Sequence, residues 1–141
     1  MAANYGGRAI NITQTTAAHA MSYKITSLYK FPHGHAVAVC LPTIWEFMLN
    51  HMDKCIDLRG LEYLVGIFNK IANAMGASSS FEAIDLFRQM MHELDLYQPI
   101  FGDRERELFL LSSSVNSIRL KNNPVQLNAD VIKQLYEIIV I

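Results

Sequence analysis

Residues 15–49 read TTAAHAMSYKITSLYKFPHGHAVAVCLPTIWEFML, and two histidines in that stretch decide how the chain must run. His19 and His33 are fourteen residues apart, which on one continuous helix would separate their imidazoles by about 21 Å. Two nitrogens sharing one metal ion each lie roughly 2 Å from it, so a common task for the pair requires the chain to double back. Ile25, Thr26 and Ser27 are mediocre helix formers, and Pro32 sits best in the first turn of a new helix. The expected return is therefore Leu28 to Phe31, and four or five extended residues cover about 15 Å. His33 then stands in the first turn of a helix running through Ala36, Val37, Cys40 and Leu41, with Gly34 leaving room beside it. Two histidines alone do not specify a metal, and ordinary hydrogen bonding accounts for this spacing as well.

The sequence around that stretch is helical nearly everywhere. Leu61, Leu64, Val65, Phe68, Ile71, Ala72 and Met75 recur at three and four residues and predict one buried helix face, closed by Gly76 as a left-handed cap. Ser79 with Glu82 forms a capping-box pattern ahead of the stripe Ile84, Phe87, Met91 and Leu94. Gly102-Asp103 precedes a charged turn leading to Leu108, Phe109 and Leu111. Asn128 is placed to cap a terminal helix whose Val131, Ile132, Leu135, Tyr136 and Ile139 face inward. No Asn-Gly hairpin between alternating strands occurs. The expectation is an all-α bundle of about six helices, with one irregular stretch at 112–127 containing Ser112-Ser113-Ser114 and Asn122-Asn123-Pro124.

At 141 residues the chain has the size of one domain, and 51% hydrophobic against 18% charged residues excludes a disordered segment. A net charge of -1 without a Lys/Arg run gives no footprint for nucleic acid or an anionic membrane. Cys40 and Cys55 lack zinc-like or redox-motif spacing and read as reduced, packed thiols. No run reaches the ~18 apolar residues of a membrane span, and the first residues lack a signal peptide's apolar core. These features together suggest a cytoplasmic protein.

The string His19-Ala20-Met21, then Pro32-His33-Gly34-x-Ala36, Leu41-Pro42 and Phe47, resembles the signature of the iron-containing alcohol dehydrogenases. The similarity continues to Asn123-Pro124 and to Ala129-Asp130-Val131-Ile132-Lys133-Gln134-Leu135-Tyr136, so it covers essentially the whole chain. It implies the C-terminal helical domain of that fold, which is dehydroquinate synthase-like. It also implies that His19 and His33 match two metal ligands for Fe2+ or Zn2+. The family's other two ligands, an Asp and a His on an earlier helix, have no counterpart here, nor does a Gly-rich phosphate turn such as GxGxxG. On this resemblance, residues 1–141 are expected to be a fragment lacking the NAD(P)-binding domain and the first part of the metal-binding domain. NAD(H) or NADP(H) would serve the full-length enzyme on a small aldehyde or alcohol. With a partial site, the isolated chain is expected to be inactive.

Many members of the family carry a second histidine four residues after the first; here Tyr23 stands there, followed by Lys24. HAMSYKITSLY with PHGHA resembles the branch that includes phosphonoacetaldehyde reductases, which implies a pocket with fixed cations for a phosphonate. Arg119, Lys24 and Lys121 are the candidates, Arg119 foremost, since a guanidinium fork matches phosphonate oxygens in pairs. Solvated surface side chains are the alternative for all three. Tyr23 is the candidate for a place beside nicotinamide or for proton relay, against a role as a packed aromatic. His35 is a lesser candidate for the cleft, His51 and His92 read as surface groups, the methionines as core filling and Trp45 as a packing anchor. A non-catalytic module that self-associates through bared apolar surface is the competing function, and a homo-oligomer is expected under either.

Overall fold

A computed structural model describes residues 2–141. In chain order the helices are α1 (Ala2–Ile10), α2 (Ala17–Tyr29), α3 (His33–Asn50), a 3-10 turn (Met52–Lys54), α4 (Leu61–Ala74), α5 (Ser80–Glu93), α6 (Arg104–Ser113), α7 (Ser117–Leu120) and α8 (Ala129–Ile139). The fold is all-α, with eight α-helices among the described residues in place of about six. The additions are α1, which carries Gly6 and Gly7, and the single turn α7, which interrupts the stretch read as irregular and bears Arg119. No helix among the described residues is long and apolar enough to cross a membrane.

The punctuation follows local chemistry. Gly76 has φ +80, and the amides of Gly76 and Ala77 donate to the carbonyls of Asn73 and Ala72, the paired bonds of a left-handed helix stop. Ser79 Oγ accepts from the Glu82 amide at 3.1 Å. The Glu82 carboxylate, however, accepts from the Ser78 amide at 2.7 Å and from the Ser78 hydroxyl, so the reciprocal half of the box reaches one residue further back. Asp103 and Asn128 accept from the third amide of α6 and α8, at 3.2 and 2.9 Å.

The core is built where α2 lies along α3, and α8 covers α3 and α6 from the other side. Met21, Ile25, Ala36, Cys40, Ile44, Leu111, Ile132 and Tyr136 are buried there. The Tyr136 hydroxyl donates to the Met21 carbonyl at 2.8 Å inside this core, pinning α8 to the helix that carries His19. At the far end of α2, Tyr29 donates to Glu107 at 2.7 Å. Glu107 also accepts from the Gly102 and Asp103 amides, which draws the start of α6 onto α2.

The predicted inner face of α4 divides in two. Leu64, Phe68 and Ala72 are buried, whereas Leu61, Val65 and Ile71 remain exposed. The wide stripe therefore wraps past the surface that α5 covers. Of the α5 stripe, Ile84 and Met91 are buried and Leu94 is exposed.

Candidate metal centre

The turn that joins α2 to α3 is tighter than the sequence suggests. Ile25 to Ser27 stay helical, α2 runs on to Tyr29, and only Lys30, Phe31 and Pro32 make the return. Lys30 reverses the chain in the left-handed region at φ 60. Pro32 is extended at ψ 142 and forms the N-cap, so it lies just outside the new helix and not in its first turn. Three residues in this path cover about 10 Å, enough to bring His33, the first residue of α3, back beside the second turn of α2.

His19 and Tyr23 are four residues apart on α2 and so share a face. His33 meets both: its ring centroid is 5.5 Å from that of His19, at 60°, and 5.4 Å from that of Tyr23, nearly parallel at 21°. Arg119 completes the row from α7. Its guanidinium sits 4.7 Å from the Tyr23 ring centroid, and Nη1 donates to the Tyr23 hydroxyl at 2.5 Å across 96 residues of sequence. The approach is held by Asn122, whose side-chain amide donates to Gln14 Oε1 at 2.8 Å just ahead of α2. Arg119 has no carboxylate partner among the described residues. One of its five donors is used on Tyr23, which leaves the others open to an anion.

Burial, then the nearby His33 charge, lowers the pKa of His19 below its ordinary 6.5. The unprotonated imidazole, the form that binds a metal, is thereby favoured at neutral pH. His33 is exposed, so the pair forms a lip with one ring set back in the protein and the other facing solvent.

The other candidates are placed differently. Lys24 follows Tyr23 directly on α2, so it leaves the helix about 100° away from the row, and Lys121 is exposed just past α7. Neither ammonium pairs with a carboxylate among the described residues. His35 is held apart from the pair: it stacks on Phe31 at 4.2 Å, and its Nε2 lies 2.7 Å from the Tyr97 carbonyl. His51 is half-buried and turned back onto its own helix, with Nδ1 2.9 Å from the Phe47 carbonyl. His92 is exposed. Cys40 and Cys55 are free thiols, and burial raises the pKa of Cys40. Trp45 is buried against Phe68 as expected of an anchor, though its indole N–H has no partner. The Tyr23–Arg119 contact is what sequence reasoning missed; both residues were candidates, but nothing in their spacing joins them.

The pattern described as "Fe-containing alcohol dehydrogenase family, C-terminal" matches residues 1–140. The chain belongs to this family. It is also 28% identical over 138 residues to a protein of Streptomyces viridochromogenes named phosphonoacetaldehyde reductase, a match that covers 95% of this chain and 34% of that protein. The chain thus spans about a third of the length of the relative it matches.

Iron in the family's name raises the question whether the residues here suit a metal. Ring centroids 5.5 Å apart, with one imidazole kept neutral, fit two nitrogens sharing an ion at about 2 Å each. No group of three or more His, Cys, Asp or Glu suited to a metal exists among the described residues. The pair can supply two nitrogen donors, with no carboxylate grouped beside them among the described residues to offset a divalent charge.

Proposed function

We propose that this chain carries the metal-facing and substrate-facing part of an NAD(P)-linked alcohol dehydrogenase or aldehyde reductase, in which His19 and His33 are two ligands to Fe2+ or Zn2+. What carries the reading is the approach of the two rings to 5.5 Å across fourteen residues of sequence, in a member of this family. When bound, the metal supplies Lewis-acid polarisation of a carbonyl oxygen. The protein's own part is to hold lone pairs and anions in place. His19, kept neutral by burial, offers a lone pair without first losing a proton. The Tyr23 hydroxyl accepts from Arg119, so its own proton stays free to be given to a substrate oxygen.

The substrate class follows from Arg119. Its unused donors lie next to the histidine row, and a guanidinium binds two oxygens of a phosphonate or phosphate at once. A short aldehyde bearing such a group, phosphonoacetaldehyde foremost, is the substrate we assign, a reading supported by the name of the Streptomyces relative. Lys24 and Lys121 contribute diffuse positive potential around the site. Since the sequence contains no Gly-rich phosphate turn, nicotinamide binding is assigned to polypeptide beyond these 141 residues, and the isolated chain is inactive.

Calorimetric titration with zinc chloride tests the reading. It should show weak binding of one ion per chain, abolished separately by His19→Ala and His33→Ala. Binding that survives both substitutions would overturn it. In parallel, methylphosphonate should shift the Tyr23 and Arg119 resonances in NMR spectra, and Arg119→Gln should remove that response. No shift at either residue would refute the substrate class while leaving the metal reading standing.

A further inference from the structure

The histidine row is built from segments that carry charge of one sign. Residues 1–45 and 108–129, which supply α2, the start of α3 and α7, contain neither Asp nor Glu, whereas Lys24, Lys30, Arg119 and Lys121 lie within them. All 13 acidic residues of the chain fall at 46–107 and 130–141. Arg119 has no carboxylate partner among the described residues. A divalent ion on His19 and His33 therefore adds two positive charges to a neighbourhood that already holds an unpaired guanidinium, and a charge drawn out of water without a counter-charge is costly.

The two cationic places are also close together. The guanidinium carbon of Arg119 is 4.7 Å from the Tyr23 ring centroid, and that centroid is 5.4 Å from the centroid of His33. Guanidinium and imidazole thus lie within about 10 Å of each other, no more than the Debye length of roughly 10 Å at 0.1 M salt, so charges at the two places act on one another. The bond from Nη1 to the Tyr23 hydroxyl ties the fork to the row. Its remaining donors can hold a tetrahedral oxyanion by charge-assisted hydrogen bonds of about 2.8 Å, which seats negative charge beside the ion's place.

We propose that this chain binds its metal and its oxyanion cooperatively: a phosphonate on Arg119 supplies the negative charge that the histidine pair lacks, and a divalent ion is taken up strongly only with the anion in place. The coupling rests on the metal and substrate reading proposed for this site and adds its regulation, since metal occupancy then follows the substrate. The phosphonate acts through its charge and need not be a ligand, which leaves the ion's remaining positions open to a carbonyl oxygen. By linkage, the ion raises the affinity for the anion by the same factor.

Calorimetric titration of the 141-residue chain with zinc chloride, with and without excess methylphosphonate at constant ionic strength, measures the coupling. Zinc affinity should rise about tenfold or more with the anion present, and titrating methylphosphonate with and without zinc should return the same factor. The enhancement should shrink as potassium chloride is raised. In Arg119→Gln it should vanish; because the two zinc affinities are compared within each variant, any change in zinc binding alone cancels. Equal zinc affinities in the parent overturn the coupling, and where each ligand still binds alone they leave the metal and substrate reading standing. An enhancement that survives Arg119→Gln, or one indifferent to salt, overturns the coupling as well. Zinc that binds under neither condition overturns the coupling and the metal reading together.

Discussion

Replacing Tyr136 by phenylalanine removes one oxygen from the centre of the fold and nothing else. The hydroxyl donates to the Met21 carbonyl at 2.8 Å in a residue that is 0% exposed, and it is a side-chain bond between α8 and the helix that carries His19 and Tyr23. The ring stays, so the transfer free energy and the packing are retained. Met21 lies inside α2, where its carbonyl also takes part in the helix ladder, so the acceptor is not orphaned by the change. The cost is then that of one net buried hydrogen bond, about 0.5–1.5 kcal/mol. For a chain of this length that corresponds to a fall in melting midpoint of roughly 2–5 °C. Tyr136→Ala, which empties the ring's volume as well, should cost about 3–5 kcal/mol.

The pH dependence gives a second handle on the same bond. Burial pushes the Tyr136 phenol above its ordinary value of 10.0. A raised pKa in the folded state means that the unfolded chain releases the proton first. The stabilisation is therefore complete below pH 10 and declines as the pH rises beyond it. Urea unfolding of parent and both variants, at neutral pH and again near pH 10.5, measures all of this. Tyr136→Phe should lose part of the alkaline destabilisation along with its hydrogen bond. Equal stability of parent and Phe variant at neutral pH would show that the bond contributes nothing, and a loss as large as that of Tyr136→Ala would contradict the intact acceptor.

Further outcomes follow from other residues. Glu107→Gln should cost about 0.5–1 kcal/mol, discounted for its contact with water, as measured by thermal melting. The Tyr29 hydrogen bond holds the Glu107 carboxyl below its ordinary 4.5, so its contribution is present above pH 4.5 and fades as the pH falls below, a fade that the variant lacks. Gly76→Ala should destabilise by about 1–2 kcal/mol in urea titration, because φ +80 penalises a side chain even where space is open. Steady-state assays of the chain with NADH or NADPH and short aldehydes, phosphonoacetaldehyde included, should show no turnover; a rate abolished by His33→Ala would contradict the partial-site reading.

Much of this was legible because helix signals are local. The stop at Gly76 and the caps at Ser79 and Asn128 are written in one or two residues each, and the structure uses all three; Asp103, read only as preceding a charged turn, is the cap of α6. The doubling back before His33 was legible for the same reason, since Pro32 fixes its own φ. Its length was not, because α2 packs against α3 strongly enough to carry Ile25 to Ser27 as helix despite weak propensity. Periodicity on α4 identified an apolar face correctly but could not say what covers it, which is why Leu61, Val65 and Ile71 were expected inside and stand outside. The Arg119–Tyr23 bond depends on where Asn122 fastens the loop ahead of α2. Contacts of that range leave no periodic trace.

The central claim is that His19 and His33 act on one ion together. Nitrogen-15 NMR of the imidazole side chains during zinc addition tests it most directly, because ligation shifts the bound ring nitrogen and identifies the tautomer. The account predicts that His19 and His33 respond together, at the same zinc concentration, while His35, His51 and His92 do not. A response led by His51 or His92, or one in which His33 shifts while His19 stays fixed, would contradict it.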